Sequence, residues 1–312
     1  MEYRRLPTLT MHPFISKIKE YFMSPAAIAA IAALAIVLPG CSRSRNAAEG
    51  MLADGSELAD QAITVDSCFT ADTTFTFNGT RVNTLEIARI FPTEHDDVYI
   101  SLRVFALRDT SEVNTALSRI ISENYNEVSG GDLYFDRGGR SPQAVERQMD
   151  YYGKVFVDTI LPQLKESVEY GFFMNMDLRP AWADGKGIIT YSSFVESCGG
   201  AACDMDAYYV SFSTATGRQL GFDDLVSDPV TRLQIRETLV RQIAESRNLS
   251  TEQYLRQVTS FISPEAMNTL TPSSFPLGRV AIMGSRLIFS YPQGAIAPFR
   301  EGCPIYSVEL PQ

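Results

Sequence analysis

The chain has 312 residues, with 27 Lys and Arg against 37 Asp and Glu, and a formal net charge of −10. So acidic a chain lacks the clustered basic surface that nucleic-acid backbones require, which excludes nucleic acid as a partner. A hydrophobic content of 45% at this length supplies a proper core for one or two domains, and two histidines and five cysteines at no metal-ligand spacing leave no metal or cofactor expected.

Arg4, Arg5, Lys17 and Lys19 precede an apolar run from Ala26 to Leu38, which ends abruptly at Pro39-Gly40-Cys41. A positive segment, a short apolar segment and a small residue before a break make a secretory signal. The run falls short of the roughly 20 apolar residues that span a bilayer. Leu38-Pro39-Gly40-Cys41 resembles the lipobox of bacterial lipoproteins, with Pro39 a departure from its commonest pattern. The resemblance implies cleavage between Gly40 and Cys41, a diacylglycerol on the Cys41 thiol and a membrane anchor at that residue. Residues 1–40 are then a signal peptide for export across the inner membrane, and the protein is expected in the bacterial cell envelope. Met11 is an alternative start that keeps Lys17 and Lys19. Removing residues 1–40 takes four basic and two acidic residues and leaves a net charge of −12. Residues 41–62 are small, polar and charged, and read as a flexible tether.

After the tether, Thr74 to Val82 alternates like a strand, and Val98 to Leu107 reads as another. A helix starts near Asp109-Thr110-Ser111, with Val113, Leu117, Ile120 and Ile121 on one face. A Gly-rich connection from Ser129 to Arg140 follows; it lacks the Lys-Ser/Thr ending of a phosphate cradle. Ser141-Pro142 opens the next helix, serine as cap and proline in the first turn. Phe156, Ile160, Leu164 and Val168 predict a buried stripe on it, with a kink at Pro162. From Phe172 the period becomes two: Phe172, Met174, Met176 and Leu178 alternate with Phe173, Asn175, Asp177 and Arg179. Ala183-Asp184-Gly185-Lys186-Gly187 turns the chain, Ile188 to Glu196 returns, and Tyr208 to Thr214 follows, making an antiparallel meander.

Cys198 and Cys203 bound the loop Gly199-Gly200-Ala201-Ala202 within this meander. A short hairpin sets them opposite each other within disulfide reach. That leaves Cys68 and Cys303 as the remaining pair, either bonded or two buried free thiols. Asp228-Pro229 caps a helix bearing Ile235, Leu239 and Ile243, Ser250 and Gln253 form a capping-box pattern for the next, and Ser263-Pro264 opens a third short one. Strands at Arg279–Met283 and Arg286–Tyr291 precede Ile305–Leu310. Strands and helices are grouped rather than strictly alternating, so the fold class is α+β, an antiparallel meander with packed helices.

Two C-terminal stretches resemble the extracytoplasmic domain of RsiV-type proteins, a domain-of-unknown-function family of the bacterial envelope. Thr216-Gly217-Arg218-Gln219-Leu220 and Phe222-Asp223-Asp224-Leu225 fit its turn and the segment after it. Arg286-Leu287-Ile288-Phe289-Ser290-Tyr291, Ala295-Ile296-Ala297-Pro298-Phe299 and Gly302 fit its closing strands, with Ala and Phe where the family has Glu and Tyr. The hairpin Gly199-Gly200-Ala201-Ala202 lacks the family's histidine. Likeness from about Ile63 to Leu310 divides the exported chain into an N-terminal half, 63–170, and an RsiV-like C-terminal domain, 171–312. In RsiV this domain binds lysozyme, so the resemblance implies lysozyme or peptidoglycan as ligand; the anti-sigma segment of RsiV has no counterpart here.

No enzyme is expected. His95, the only histidine after the signal, lies in Glu94-His95-Asp96-Asp97, and no Gly-x-Ser-x-Gly elbow occurs. Asp96-Asp97 and Asp223-Asp224 are adjacent residues, whose side chains point apart in a strand, so neither makes a glycosidase pair. The expectation is an envelope lipoprotein with a non-catalytic binding domain. The alternatives are a structural spacer lipoprotein and a carboxylate-dependent cell-wall hydrolase.

Overall fold

The computed structural model describes residues 68–93, 98–129, 139–160, 162, 171–199, 202–262 and 270–311. The signal peptide, Gly40, Cys41 and the tether lie outside them, as do His95, Asp96, Asp97, the centre of the Gly-rich connection, Leu164, Val168, Gly200 and Ser263-Pro264.

The first sheet has six strands in the order β1-β2-β3-β4-β5-β6. Strands β1 (Phe69–Phe77) and β2 (Thr80–Pro92) form a hairpin, so the alternation from Thr74 to Val82 belongs to two strands rather than one. Asn78 and Gly79 both take positive φ, 48° and 87°, the conformation of the two-residue turn for which Asn-Gly is preferred. Strand β3 (Val98–Leu107) has the bounds its sequence predicts.

Two helices then cross over. Helix α1 (Glu112–Ser129) buries Val113, Leu117, Ile120 and Ile121 against the sheet. Its buried Asn114 ties the helix start to the end of β3: the side-chain carbonyl accepts from the Leu107 N–H at 2.8 Å, and the amide donates to the carbonyls of Leu107 at 3.0 Å and Arg140 at 2.8 Å. Helix α2 (Pro142–Val155) starts as expected, the Ser141 hydroxyl accepting from the Ala144 N–H at 3.2 Å. It passes into a π-helical turn over Phe156–Ile160 just ahead of Pro162. Proline supplies no N–H to the carbonyl four residues back and its ring crowds that carbonyl, so the change of helix geometry lies where a regular helix meets this obstacle. Phe156 is buried and Ile160 half-buried.

Strands β4 (Phe172–Ala183), β5 (Ile188–Gly199) and β6 (Ala202–Ser213) make the antiparallel meander. At the β4–β5 turn the Asp184 carboxylate accepts from the N–H groups of Lys186, Gly187 and Ile188 at 2.7–2.9 Å. Partial burial works against its charge, but these three donors outweigh burial and hold its pKa below the ordinary value. The fold is α+β, and its first sheet is mixed: β3 and β4 run parallel, Val98 beside Phe172 through Val104 beside Leu178. The α1–α2 crossover returns the chain to the end from which β3 started, which a parallel pair requires. Three strands of this sheet precede residue 170 and three follow it.

The second sheet has the order β7-β8-β9, from Arg279–Met283, Arg286–Ser290 and Ile305–Glu309. Between the sheets come α3 (Phe222–Leu225), α4 (Pro229–Ser246) and α5 (Thr251–Ile262). Asp228 caps α4 through the Thr231 N–H at 2.8 Å, and Ser250 and Gln253 exchange bonds of 3.2 and 2.9 Å as a capping box should. Ile235, Leu239, Val240 and Ile243 of α4 meet Tyr254, Val258, Leu287 and Phe289 in a second core. The sheets join through a small third cluster of Tyr209, Ala281 and Ile288. Polar bonds flank it: the Ile282 N–H donates to Ser211 Oγ at 2.9 Å, Thr190 Oγ1 to the Ile282 carbonyl at 2.6 Å, and the Tyr209 N–H to Ser290 Oγ at 3.2 Å.

Candidate functional site

Helices α1 and α2 cover one face of the first sheet, packing on Ile100, Leu102, Val104, Met174, Met176 and Leu178. Side chains alternate along a strand, so residues between these point to the far face. The second sheet lies over the β5–β6 side of that face. Across β2, β3, β4 and β5, register assembles the rest into rows. Tyr99, Phe173 and Cys198 stand side by side; next come Ser101, Asn175 and Glu196, then Arg103, Asp177 and Phe194; beyond them Glu86 stands beside Phe105, and Arg179 beside Ser192.

The rows are chemically distinct. Tyr99 and Phe173 stack with centroids 5.7 Å apart and planes at 11°. Arg103 Nε donates to Glu86 Oε1 at 2.7 Å, and Thr73 Oγ1 donates to Glu86 Oε2 at 3.2 Å. Arg179 Nη2 donates to Asp177 Oδ2 at 2.7 Å while Nε bonds the other oxygen, a bidentate grip. The Asp177 carboxylate therefore holds Arg179 more firmly protonated than usual, against the effect of burial. Both guanidiniums also lie over the Phe105 ring, at 5.0 and 6.0 Å. Asp177 is only 5% exposed, whereas Arg103 and Arg179 are 23% and 24% exposed. The carboxylates are thus sunk into the face and the guanidiniums form its wet rim. Between the rings and the ion pairs, Ser101 Oγ and Asn175 Oδ1 are buried and accept or donate no hydrogen bond; Ser101 is 2% exposed. A buried polar atom in that state costs about 1–3 kcal/mol, so these two neighbours carry bonding capacity that the fold does not use.

The expected disulfide borders this face. Cys198 and Cys203 are bonded, with Cα atoms 4.1 Å apart as directly opposed residues of β5 and β6. Cys68 and Cys303 are free thiols, which corrects the second pairing. Cys68 Sγ lies 3.5 Å from the Ile90 carbonyl on β2, and Cys303 Sγ donates to the Met205 carbonyl on β6 at 3.0 Å. Four strand spacings separate β2 from β6, roughly 19 Å in a flat sheet, far beyond a disulfide's reach. Burial pushes the Cys303 thiol up to about 11.

Asp223 and Asp224 do not act as a pair: Asp223 bonds Arg232, while Asp224 takes both Arg218 nitrogens at 2.8 Å and the Gly221 N–H at 2.9 Å. Among the described residues no group of three or more His, Cys, Asp and Glu is placed to hold a metal ion. None of their helices is long and apolar enough to cross a membrane.

Known structures include similar chains. A crystal structure of a DUF3298-family member from Bacteroides fragilis is 14% identical, matching 78% of this chain and 89% of its own, with a TM-score of 0.45. A DUF3298-family protein from Pseudomonas aeruginosa is 13% identical over 79% of this chain and 91% of its own, also at 0.45. No protein-family model and no curated protein matches this chain. Sequence reasoning did separate Asn175, Asp177 and Arg179 from the buried side of β4, but not their partners Ser101, Arg103 and Glu86, whose positions depend on pairing between distant segments.

Proposed function

We propose that this chain is an exported lipoprotein of the bacterial envelope, anchored by lipid at Cys41, whose α+β domain binds lysozyme or a peptidoglycan ligand without catalysing a reaction. The observation that carries the reading is the Cys198–Cys203 disulfide at the border of the far face. Disulfides persist in oxidising compartments outside the cytoplasm, which supports the export that the N-terminal signal and the Leu38–Cys41 motif suggest. The far face favours binding over a passive spacer, because unused buried hydrogen-bonding groups destabilise a domain that has nothing to bind. The RsiV-like segments, Thr216–Leu220 and Arg286–Gly302, belong with this reading, and a net charge of −12 after signal removal suits a basic lysozyme electrostatically.

Two measurements test it. Labelling of expressing cells with a palmitate analogue should mark the wild-type chain and not Cys41→Ser; equal labelling, or none, overturns the anchor. Calorimetric titration of the full chain in mild detergent, at two salt concentrations, should show saturable heat with lysozyme or with peptidoglycan fragments. Release of soluble muropeptides by the chain would instead support the hydrolase, and silence with every ligand would leave the spacer.

A further inference from the structure

We infer that the far face of the first sheet is a binding site for an uncharged saccharide, lying along β3 and β4 from the Tyr99–Phe173 ring pair to the Arg103–Asp177 row. The inference rests on the binding reading above and names its ligand class and its residues. Charge is the first argument. Glu86 is matched by Arg103 and Asp177 by Arg179, so the deepest charges of the face are already neutralised. A strongly ionic ligand would compete with pairs that are made, whereas a neutral polyol adds bonds to their free edges.

Hydrogen-bonding capacity is the second. Ser101 Oγ can donate and accept, and Asn175 Oδ1 can accept; both are buried and unpartnered, on directly neighbouring strands. Glu196 lies directly across from Asn175 on β5 and adds acceptors. Sugar hydroxyls both donate and accept, which matches a mixed set that neither a pure cation nor a pure anion would satisfy. Shape is the third. Alternate residues of a strand are about 6.6 Å apart, so the aromatic row, the amide-hydroxyl row and the ion-pair row follow at regular intervals. Stacked rings at one end offer an apolar wall to the C–H face of a sugar ring, and the Cys198–Cys203 bond fixes the strands beside that wall.

The test is titration of the full chain, in mild detergent, with chitotetraose, an uncharged N-acetylglucosamine oligomer. Saturable heat that salt leaves unchanged, together with a ligand-dependent rise in melting temperature, is the expected result. Tyr99→Ala and Asn175→Ala should each weaken binding tenfold or more, and the distant surface variant Arg256→Ala should not. Ser101→Ala guards against misfolding: it deletes an unpartnered hydroxyl, so it should melt at or above the wild-type temperature while binding more weakly. No heat and no melting shift with chitotetraose overturns the saccharide, as does wild-type affinity in Asn175→Ala and Ser101→Ala. If the same preparation binds lysozyme but not chitotetraose, the saccharide inference falls alone; if it binds neither, nor peptidoglycan fragments, the binding reading falls with it.

Discussion

Gly217 and Gly284 have the same backbone conformation and different surroundings, which lets a pair of substitutions separate two energies. Both take φ of +64°. At Gly284, in the β7–β8 turn, an added Cβ would meet nothing within 4 Å. At Gly217, after β6, it would stand 2.3 Å from the Glu112 carbonyl oxygen and 2.6 Å from the carbonyl carbon. The left-handed conformation costs a Cβ-bearing residue about 1–2 kcal/mol, partly offset by the lower entropy of the unfolded alanine chain, about 0.4–1 kcal/mol. Gly284→Ala should therefore lose about 1 kcal/mol. Gly217→Ala adds overlap with backbone at the start of α1, which cannot rotate away, and overpacking of this kind costs about 1–3 kcal/mol more. Its total of about 2–4 kcal/mol corresponds to a melting-temperature drop of roughly 2–4 °C per kcal/mol in a domain of this size. Urea unfolding of the two variants beside the wild type measures both. Equal losses would refute the contact between the Thr216–Leu220 turn and α1. A loss in Gly284→Ala as large as in Gly217→Ala would also show that backbone conformation, not packing, sets the cost of a side chain at Gly217.

Three further outcomes follow from titrating and covalent groups. Arg218, together with the Gly221 N–H, holds the Asp224 carboxyl down at about 2 against an ordinary 3.8; its contribution is complete above pH 4 and disappears as the pH falls towards 2. Asp224→Asn should lower the urea midpoint at pH 7 and flatten the wild-type decline across that acid window; parallel curves would contradict the assignment. In Cys41→Ser chain, an aromatic disulfide reagent at pH 8 should label exposed Cys68 quickly and half-buried Cys303 at least tenfold more slowly, since desolvation raises the latter to about 11; equal rates would contradict the Cys303 environment. Replacing Cys198 and Cys203 by serine should cost about 2 kcal/mol, the chain-entropy value for so short a loop, and added reductant should lower the wild-type midpoint to meet the variant's.

What could be read from the sequence divides along the range of the interaction. Helix starts were legible because caps act within three residues: Ser141 before Pro142, Asp228 before Pro229, and Ser250 with Gln253 all form the bonds expected of them. The β4–β6 meander and its disulfide were legible for the same reason, since a short turn fixes which residues oppose each other. The Asn78-Gly79 turn is hidden in the sequence because the Thr and Phe alternation runs through it on both sides, and a period of two does not reveal a reversal of direction. The parallel pairing of β3 with β4 depends on how two helices return the chain, which no local pattern specifies.

The candidate site belongs to the non-local kind, which no local sequence pattern displays. Read along β4 alone, Asn175, Asp177 and Arg179 are polar residues at alternate positions, the ordinary signature of a solvated strand face. Read along β3, Ser101 and Arg103 say the same. Only register places Ser101 beside Asn175 and Arg103 beside Asp177, and only then does the expectation of a solvated face fail, with Ser101 at 2% exposure and its hydroxyl unbonded. A polar residue sunk without a partner weakens the fold, while ion pairs of the same face shelter their own carboxylates beneath arginine. The two arrangements sit one row apart, so the face was able to satisfy its charges and left its smallest polar groups unsatisfied. That contrast points to a ligand of hydroxyls rather than of charge, and the stability of Ser101→Ala set against its affinity decides it.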